Sequence, residues 1–387
     1  MKHLNVLQKT ISNLAERLRV MIAMSLRVNA SWALTSIARS SAKLLKSDEQ
    51  RRNQIRKNVT LISMVKNEKN IMETFCAHAL SLFDRIILVD HLSTDGTREY
   101  IKLISTKHSC IEYYSFEETG YYQSELMTWI ARNVAHDEMS GWVFFLDADE
   151  FLPFKSKEEF DRKLSDLSFF PVISMPWLNL IPLNMDSGRV IGEFFLKPPK
   201  SSCHCKIAFQ PNLIPLDDYV VAQGNHSLLM GSEFSQRLPV KNAFPIYHLP
   251  IRTKQQLREK ILHGVESYRS MGKDRATNLG FHWEEIYRIM QTSSLTNEMM
   301  AGIAAKYGEP LSPPYERNLN KLRENGYSEM RMDVCFSQPV VSFDDIEFCV
   351  ADEIKKIPVS SAFIPTQSKG YRKIILDPLT HSLRFSR

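Results

Sequence analysis

A chain of 387 residues with 43% hydrophobic and 24% charged residues has the balance of a soluble globular enzyme, long enough for one large domain with additions or for two. Its six cysteines, at 76, 110, 203, 205, 335 and 349, are too few and too irregular for a disulfide framework, which points to a reducing compartment. The net charge of +5 is uneven: residues 1–57 hold twelve Lys/Arg against three acids, +9, so the remainder carries −4 and the basic character belongs to the N-terminal segment.

That segment has no apolar run of the roughly 20 residues needed to span a bilayer, and no signal-peptide core with a cleavage site. Leu4, Leu7, Ile11, Leu14, Leu18 and Met21 recur at steps of three and four, with Lys9, Arg17, Arg19 and Arg27 off the stripe. A basic amphipathic helix of this kind suits an anionic membrane surface through residues 1–50, and equally suits packing on the body or on a partner; disorder is the third reading. The uncharged flanks (Gln8, Thr10, Ala15, Ile22, Met24) argue against a coiled coil. Residues 46–58 read as a solvated linker.

The body starts with VTLISMV (59–65), a buried-strand pattern followed by Lys66-Asn67-Glu68. Asn70 with Glu73 is a capping-box pattern opening a helix to about Leu82. Residues 85–90 form a second strand ending in Asp90. Ser93 to Thr97 is turn chemistry leading into a helix to about Lys107. Cys110 to Phe116 alternates as a third strand, and 123–135 is helical. Next comes WVFFLDADEFLPF (142–154), a buried strand that runs into Asp147, Asp149 and Glu150. Strand–helix alternation predicts a mostly parallel sheet flanked by helices, with ligands beyond the carboxyl ends of the strands. Asn67, Glu68, Asp90, Asp147 and Asp149 all fall there.

Buried carboxylates need compensation, and Asp/Glu oxygens suit a hard divalent cation, Mg²⁺ or Mn²⁺. On an extended strand end Asp147 and Asp149 point to one face and can share such an ion with a diphosphate; the alternative is a solvated acidic turn. Glu150 alternates away and is expected to orient the metal ligands from behind. No GxGxxG or GxxxxGK[ST] occurs, so dinucleotide and P-loop readings have no support. Cys203-His204-Cys205 lacks zinc-ligand spacing and reads as two small residues beside a surface histidine.

MVKNE (64–68), His78, ILVDHLSTDGT (87–97) and WVFFLDADEFL (142–152), followed by Lys206-Ile207-Ala208-Phe209, Gly224-Asn225-His226 and Tyr247-His248-Leu249-Pro250-Ile251-Arg252, resemble the family 2-like glycosyltransferases of the GT-A fold, in the branch with a KNE start and a DADEF metal motif. The resemblance covers about residues 59–270. One departure is Asp90-His91-Leu92-Ser93, where many relatives read Asp-Asp-Gly-Ser or Asp-Asn-Gly-Ser. The resemblance implies an α/β GT-A domain over 58–252, with 1–57 as the basic extension, 253–340 as a helical region and 341–387 as a small β-rich tail. It implies a metal-assisted, inverting transfer of a sugar from a nucleoside diphosphate sugar, UDP-sugar favoured, to an acceptor hydroxyl of a glycan or lipid-linked glycan. Nucleic acid is not an expected partner.

The implied donor-binding residues are Asn67, Glu68, Asp90, Asp95, Asp147, Lys206 and His226, and the implied metal ligands are Asp147, Asp149 and His248. Glu193, Asp217 and Asp218 are the candidate bases, and Trp177 is either a sugar-stacking or a core residue. The expected place is the cytoplasm, with peripheral contact at the inner face of the membrane. The rival readings are a nucleotidyl- or phosphotransferase using the same acids, and an inactive sugar-nucleotide-binding scaffold. Helices are expected at 254–272 and 283–307, with nothing catalytic in the second, and strands at 342–350 and 373–376, to which the sequence assigns no function.

The charge and stripe of residues 1–50 yield a direct test. Deleting them should weaken binding to anionic vesicles, with the loss growing as salt is lowered, while donor turnover is kept. Salt-insensitive binding, or a chain that no longer folds, would favour packing over membrane contact.

Overall fold

The computed structural model describes residues 58–136, 140–215, 219–230, 236–237, 240–272, 279–337, 341–348, 361–366, 370–377 and 382–385. The amphipathic stripe of residues 1–57 and the candidate bases Asp217 and Asp218 lie outside them. No helix among the described residues is long and apolar enough to cross a membrane.

The first half alternates strand and helix: β1 (Asn58–Val65), α1 (Lys69–Leu82), β2 (Arg85–Asp90), α2 (Thr97–Lys107), β3 (Ile111–Phe116), α3 (Gln123–Asn133) and β4 (Ser140–Phe145). β5 (Glu150–Phe151) and α4 (Lys157–Leu167) follow, then β6 (Val172–Asn179), β7 (Ile181–Pro182), β8 (Phe194–Lys197) and β9 (Cys205–Phe209). Short strands β10 (Tyr219–Val221), β11 (Leu228–Met230), β12 (Gln236–Arg237), β13 (Lys241–Asn242) and β14 (Ile246–His248) lead to helices α5 (Lys254–Ser270), α6 (Phe281–Thr292), α7 (Asn297–Ala305) and α8 (Leu319–Glu324). The chain closes with β15 (Ser328–Arg331), β16 (Ser361–Thr366), β17 (Gly370–Asp377) and β18 (Ser382–Phe385).

Strands β3, β2, β1 and β4 pair in parallel, Leu61 opposite Ile86 and Phe144. β9 then pairs antiparallel with both β4 and β6, and β14 runs parallel to β6 and antiparallel to β5. Side chains alternate across the pleat. Leu61, Ile86, Leu88 and Phe144 enter one core with α1, α2 and α4, while Ile62, Ile87, Val89, Val143 and Phe145 enter a second core with α3. A sheet buried on both faces explains the near-continuous apolar strands. A third core, of α5, α6 and α7, packs beside them.

The tail continues the main sheet: β18 pairs in parallel with β3, and β16 and β17 extend that edge. Residues 343–348 form a 3₁₀ turn where alternation suggested a strand, and residues 293–296 split the expected 283–307 helix in two, Thr296 capping the second half.

The two capping-box patterns part ways. Thr253 Oγ1 accepts the Gln256 N–H at 3.1 Å, so the cap that opens α5 is made, while Gln256 Oε1 reaches one residue further back and accepts the Arg252 N–H at 3.0 Å. At α1 the helix starts earlier, at Lys69, and the side chain of its N-cap residue, Glu68, makes no cap. Asn70 and Glu73 are taken by distant partners: Arg252 donates to Asn70 Oδ1 at 2.7 Å, and Ser342 and Phe343 donate to Glu73. Thr253→Ala should therefore cost about 1 kcal/mol of stability, read as a lower urea midpoint at unchanged m, whereas Thr253→Ser should restore it. Equal midpoints for all three would mean the cap carries no net stability.

Candidate functional site

A cleft of about 100 Å³ opens at the carboxyl ends of β1 and β4. One wall is Met64 to Glu68 with Asp147, Ala148 and Asp149; the opposite wall is α5, with Gln256, Glu259, Lys260, His263, Gly264 and Ser267; Tyr121 and Trp283 complete it. The α5 residues recur at three- and four-residue steps, one helical face, beside the stripe of Leu257, Ile261 and Val265 that enters the third core. This polar stripe was the signal in the sequence for a chemical role in α5.

The segment after β1 is interlocked with the turn after β2. Asn67 N–H donates to Ser93 Oγ, Glu68 N–H to Thr97 Oγ1 and Lys69 N–H to Asp95 Oδ2, each at 3.0 Å, and Thr94 N–H returns a bond to Asn67 Oδ1 at 2.7 Å. Asn67 adopts φ +53°, a left-handed conformation that Asn tolerates better than most side chains. Asp95 also accepts the Thr97 N–H at 2.9 Å, so its carboxylate is consumed in fastening α1 and α2. Asp90 is buried, receives the Ser93 N–H at 3.3 Å and pairs with Arg98 Nε at 2.7 Å. His91, at the position of the departure from relatives, packs beside Phe116 and Tyr121, and its Nε2 donates to the Glu118 carbonyl.

Asp147 and Asp149 do not sit on an extended strand end. Residues 147–150 form a turn, closed by Glu150 N–H donating to the Asp147 carbonyl at 3.1 Å. Glu150 secures that turn from below: its carboxylate accepts the Asp147 N–H at 2.9 Å and the Trp177 Nε1–H at 2.6 Å. Burial pushes the Glu150 carboxyl well above the ordinary range, against the pull of Lys206. Trp177 is thereby fixed in the core, stacked on His248 with centroids 4.2 Å apart.

The two aspartates have different partners. Lys206, buried on β9, donates to Asp147 Oδ2 at 2.7 Å and to the Gly224 carbonyl at 3.0 Å. Asp149 Oδ2 pairs with Lys260 Nζ and lies 4.0 Å from Arg252, while its Oδ1 lies 3.8 Å from His248 Nε2. Burial alone would raise the Asp149 carboxyl; the cations, Lys260 foremost, outweigh it and hold it low. His248 Nδ1 donates to Asn179 Oδ1 at 2.8 Å, which leaves the Nε2 lone pair facing Asp149. Among the described residues no three acidic, histidine or cysteine side chains converge as a ready-made metal cage. Asp149 Oδ1 and His248 Nε2 stand 3.8 Å apart, and Asp147 faces Lys206 instead.

The remaining expected residues are placed as follows. Glu68 accepts from Arg252 at 2.7 Å, and burial raises its carboxyl. His226 Nδ1 donates to the Cys205 carbonyl, edge-on to Trp177 and off the cleft wall. His204 is half-buried, not a surface group, bonded to the Gly308 carbonyl at 2.7 Å. His78 bridges Leu152 N–H and the Cys335 carbonyl in the core. Glu193 precedes β8 and is not on the cleft wall; of the α5 acids, Glu259 is.

Residues 60–167, 108 of the 387, match the family model described as Glycosyl transferase family 2. The matched stretch contains β1 to α4 and the acidic turn, and a mostly parallel α/β sheet flanked by helices agrees with the GT-A-type fold. No curated protein matches the chain in sequence. Among solved structures the chain is similar to the mannosyltransferase PcManGT from Pyrobaculum calidifontis in complex with GDP-Man and Mn²⁺, at 15% identity over 82% of this chain and 90% of that chain, with a TM-score of 0.33. At that score the likeness carries no argument about chemistry.

Several histidines in the body are held neutral by burial. Burial lowers His78 and His91 to about 4, and His226 and His282 to about 3. Unfolded histidine takes its proton near pH 6.5. As pH falls from 6.5 towards 4 the unfolded chain binds protons that the folded chain does not, so stability present above 6.5 is lost in that window. The raised carboxyls of Glu68 and Glu150 act in the opposite sense, which makes a single-site comparison the sharper one. Unfolding at pH 5 should take up about one proton fewer in His78→Gln than in the parent. Identical proton uptake would show that His78 titrates normally in the fold.

Proposed function

We propose that the protein is a glycosyltransferase that moves a sugar from a nucleoside diphosphate sugar, UDP-sugar favoured, to an acceptor hydroxyl with inversion, assisted by Mn²⁺ or Mg²⁺. One observation carries this reading: within the segment that matches glycosyl transferase family 2, Asp147 and Asp149 line a single cleft with Lys66, Asn67 and Glu68 at the carboxyl ends of parallel strands. That is where open α/β sheets take their ligands.

The donor set fits a hard cation in part. Asp149 Oδ1 and His248 Nε2 are 3.8 Å apart, and an ion with bonds of about 2.1 Å can touch both. Mg²⁺ characteristically takes one or two protein carboxylates and completes its shell with water and phosphate oxygens, so a protein-only cage is not required. In this reading Asp149 and His248 hold the ion. Asp147, clamped by Lys206, sets the turn and faces the ribose side. When bound, the cation supplies charge stabilisation for the leaving diphosphate. Lys66 adds positive charge to the same wall, and Asp90 acts through Arg98 and the 91–95 turn to shape the base pocket. An acceptor proton needs a base, for which Glu259 is placed on the cleft and Glu193 is not. Membrane contact, in this reading, belongs to residues 1–50.

A screen of nucleoside diphosphate sugars for metal-dependent release of nucleoside diphosphate tests the reading; pyrophosphate as product would indicate nucleotidyl transfer, and binding without turnover a scaffold. With the active donor, Asp149→Ala should abolish transfer, Asp147→Ala should nearly do so, and His248→Ala should raise the Mn²⁺ concentration for half-maximal rate. Full activity of Asp149→Ala, or of the parent in excess chelator, would remove the metal from the reaction.

A further inference from the structure

We propose that Lys260 is an exchangeable counter-cation, held on Asp149 in the nucleotide-free protein and passed to the donor's diphosphate when a metal ion takes its place. This rests on the metal-assisted reading above and assigns a role to a helix that the sequence left without one.

Three cationic or metal-ligating groups meet Asp149, and they differ in how firmly they are held. Arg252 is pinned: one guanidinium nitrogen donates to Glu68 Oε2 and Asn70 Oδ1, both at 2.7 Å, and another to the Leu249 carbonyl at 3.3 Å. His248 is fixed by Asn179 and by stacking on Trp177. Lys260 is different. Among the described residues its ammonium hydrogen-bonds only to Asp149 Oδ2, with the Tyr307 ring 5.3 Å away. Its side chain keeps 18% of its surface exposed, against 2% for Asp149, and it lines the cleft. A lysine ammonium on a four-carbon stem can swing where a pinned guanidinium cannot.

Asp149 offers Oδ2 to Lys260 and Oδ1 to His248. A divalent ion shared by Asp149 and His248 would stand beside the Lys260 ammonium, and like charges in a partly desolvated cleft repel. The ammonium is then expelled from Asp149 into the cleft, where the complementary group is an anionic diphosphate. Metal and nucleotide binding become coupled: each removes the obstacle to the other.

The probe is Mn²⁺ alone, followed by the EPR signal of the free ion in titrations of the full chain without nucleotide. Lys260→Met should bind Mn²⁺ roughly tenfold more tightly than the parent, and Lys260→Arg should not. At saturating Mn²⁺, UDP or GDP binding should weaken roughly tenfold in Lys260→Met, because the released ammonium is no longer there to meet the diphosphate. Where Lys260→Met does not fold, Lys260→Gln keeps a hydrogen-bond donor without the charge and is expected to behave alike. Unchanged Mn²⁺ affinity in the neutral variants, with Mn²⁺ binding lost in Asp149→Ala, overturns the counter-cation role and leaves the metal reading standing. Mn²⁺ binding that survives Asp149→Ala, with or without nucleotide, overturns both.

Discussion

The structure turns on how two carboxylates are kept at one tight turn beneath a cleft. Asp149 is almost fully buried, and an isolated charge there would be prohibitive. The compensation comes from three remote places: Lys206 on β9 for Asp147, and Lys260 on α5 with Arg252 just before it for Asp149. Arg252 is itself buried and reaches the start of α1 through Glu68 and Asn70. The acidic turn therefore fastens β9, α5 and the start of α1 to one another. Removing one cation would leave a buried carboxylate underpaired, which is costlier than the pair is worth when intact.

This constraint also explains the asymmetry between the two aspartates. Lys206 is fully enclosed and doubly satisfied by Asp147 and the Gly224 carbonyl, with Glu150 3.7 Å away. Burial would lower its ammonium; the neighbouring acids Asp147 and Glu150 raise it instead, so it stays charged and in place. Asp147 is thus a structural carboxylate with one face on the cleft. Asp149 has the partly exposed lysine partner and the imidazole, and the metal site proposed above lies on its side.

Local physics made most of the scaffold legible. Short apolar runs marked β1, β2 and β4, alternation marked β3, and the pattern Thr253-x-x-Gln256 marked the start of α5. At the start of α1 a distant partner had intervened. Asn70 and Glu73 have the spacing of a cap, but Arg252 claims the first side chain, and the Ser342 hydroxyl and Phe343 N–H claim the second. The alternation argument for Asp147 and Asp149 assumed an extended chain, and the Glu150 carboxylate closes a turn instead. Lys206 and Asp147 are 59 residues apart, and Lys260 and Asp149 are 111. No periodicity encodes pairings at that range, so their partners became visible only with the fold.

The tautomer of His248 gives the metal reading its strongest physical support. The Tyr307 carbonyl can only accept, so it fixes the Asn179 amide: Nδ2 donates to Tyr307 at 3.2 Å and Oδ1 faces His248. Oδ1 in turn demands the proton on His248 Nδ1. The Nε2 lone pair is left facing Asp149 Oδ1 across 3.8 Å, two acceptors opposed in a buried setting. Burial keeps the ring neutral down to about 3, with Asp149 pulling the other way and the nearby lysines opposing it, so a second proton does not relieve the opposition near neutral pH. Lys260 and Arg252 approach from the Oδ2 side and leave it in place. A group that accepts two lone pairs at once, which a divalent cation does, resolves what the surrounding hydrogen bonds impose.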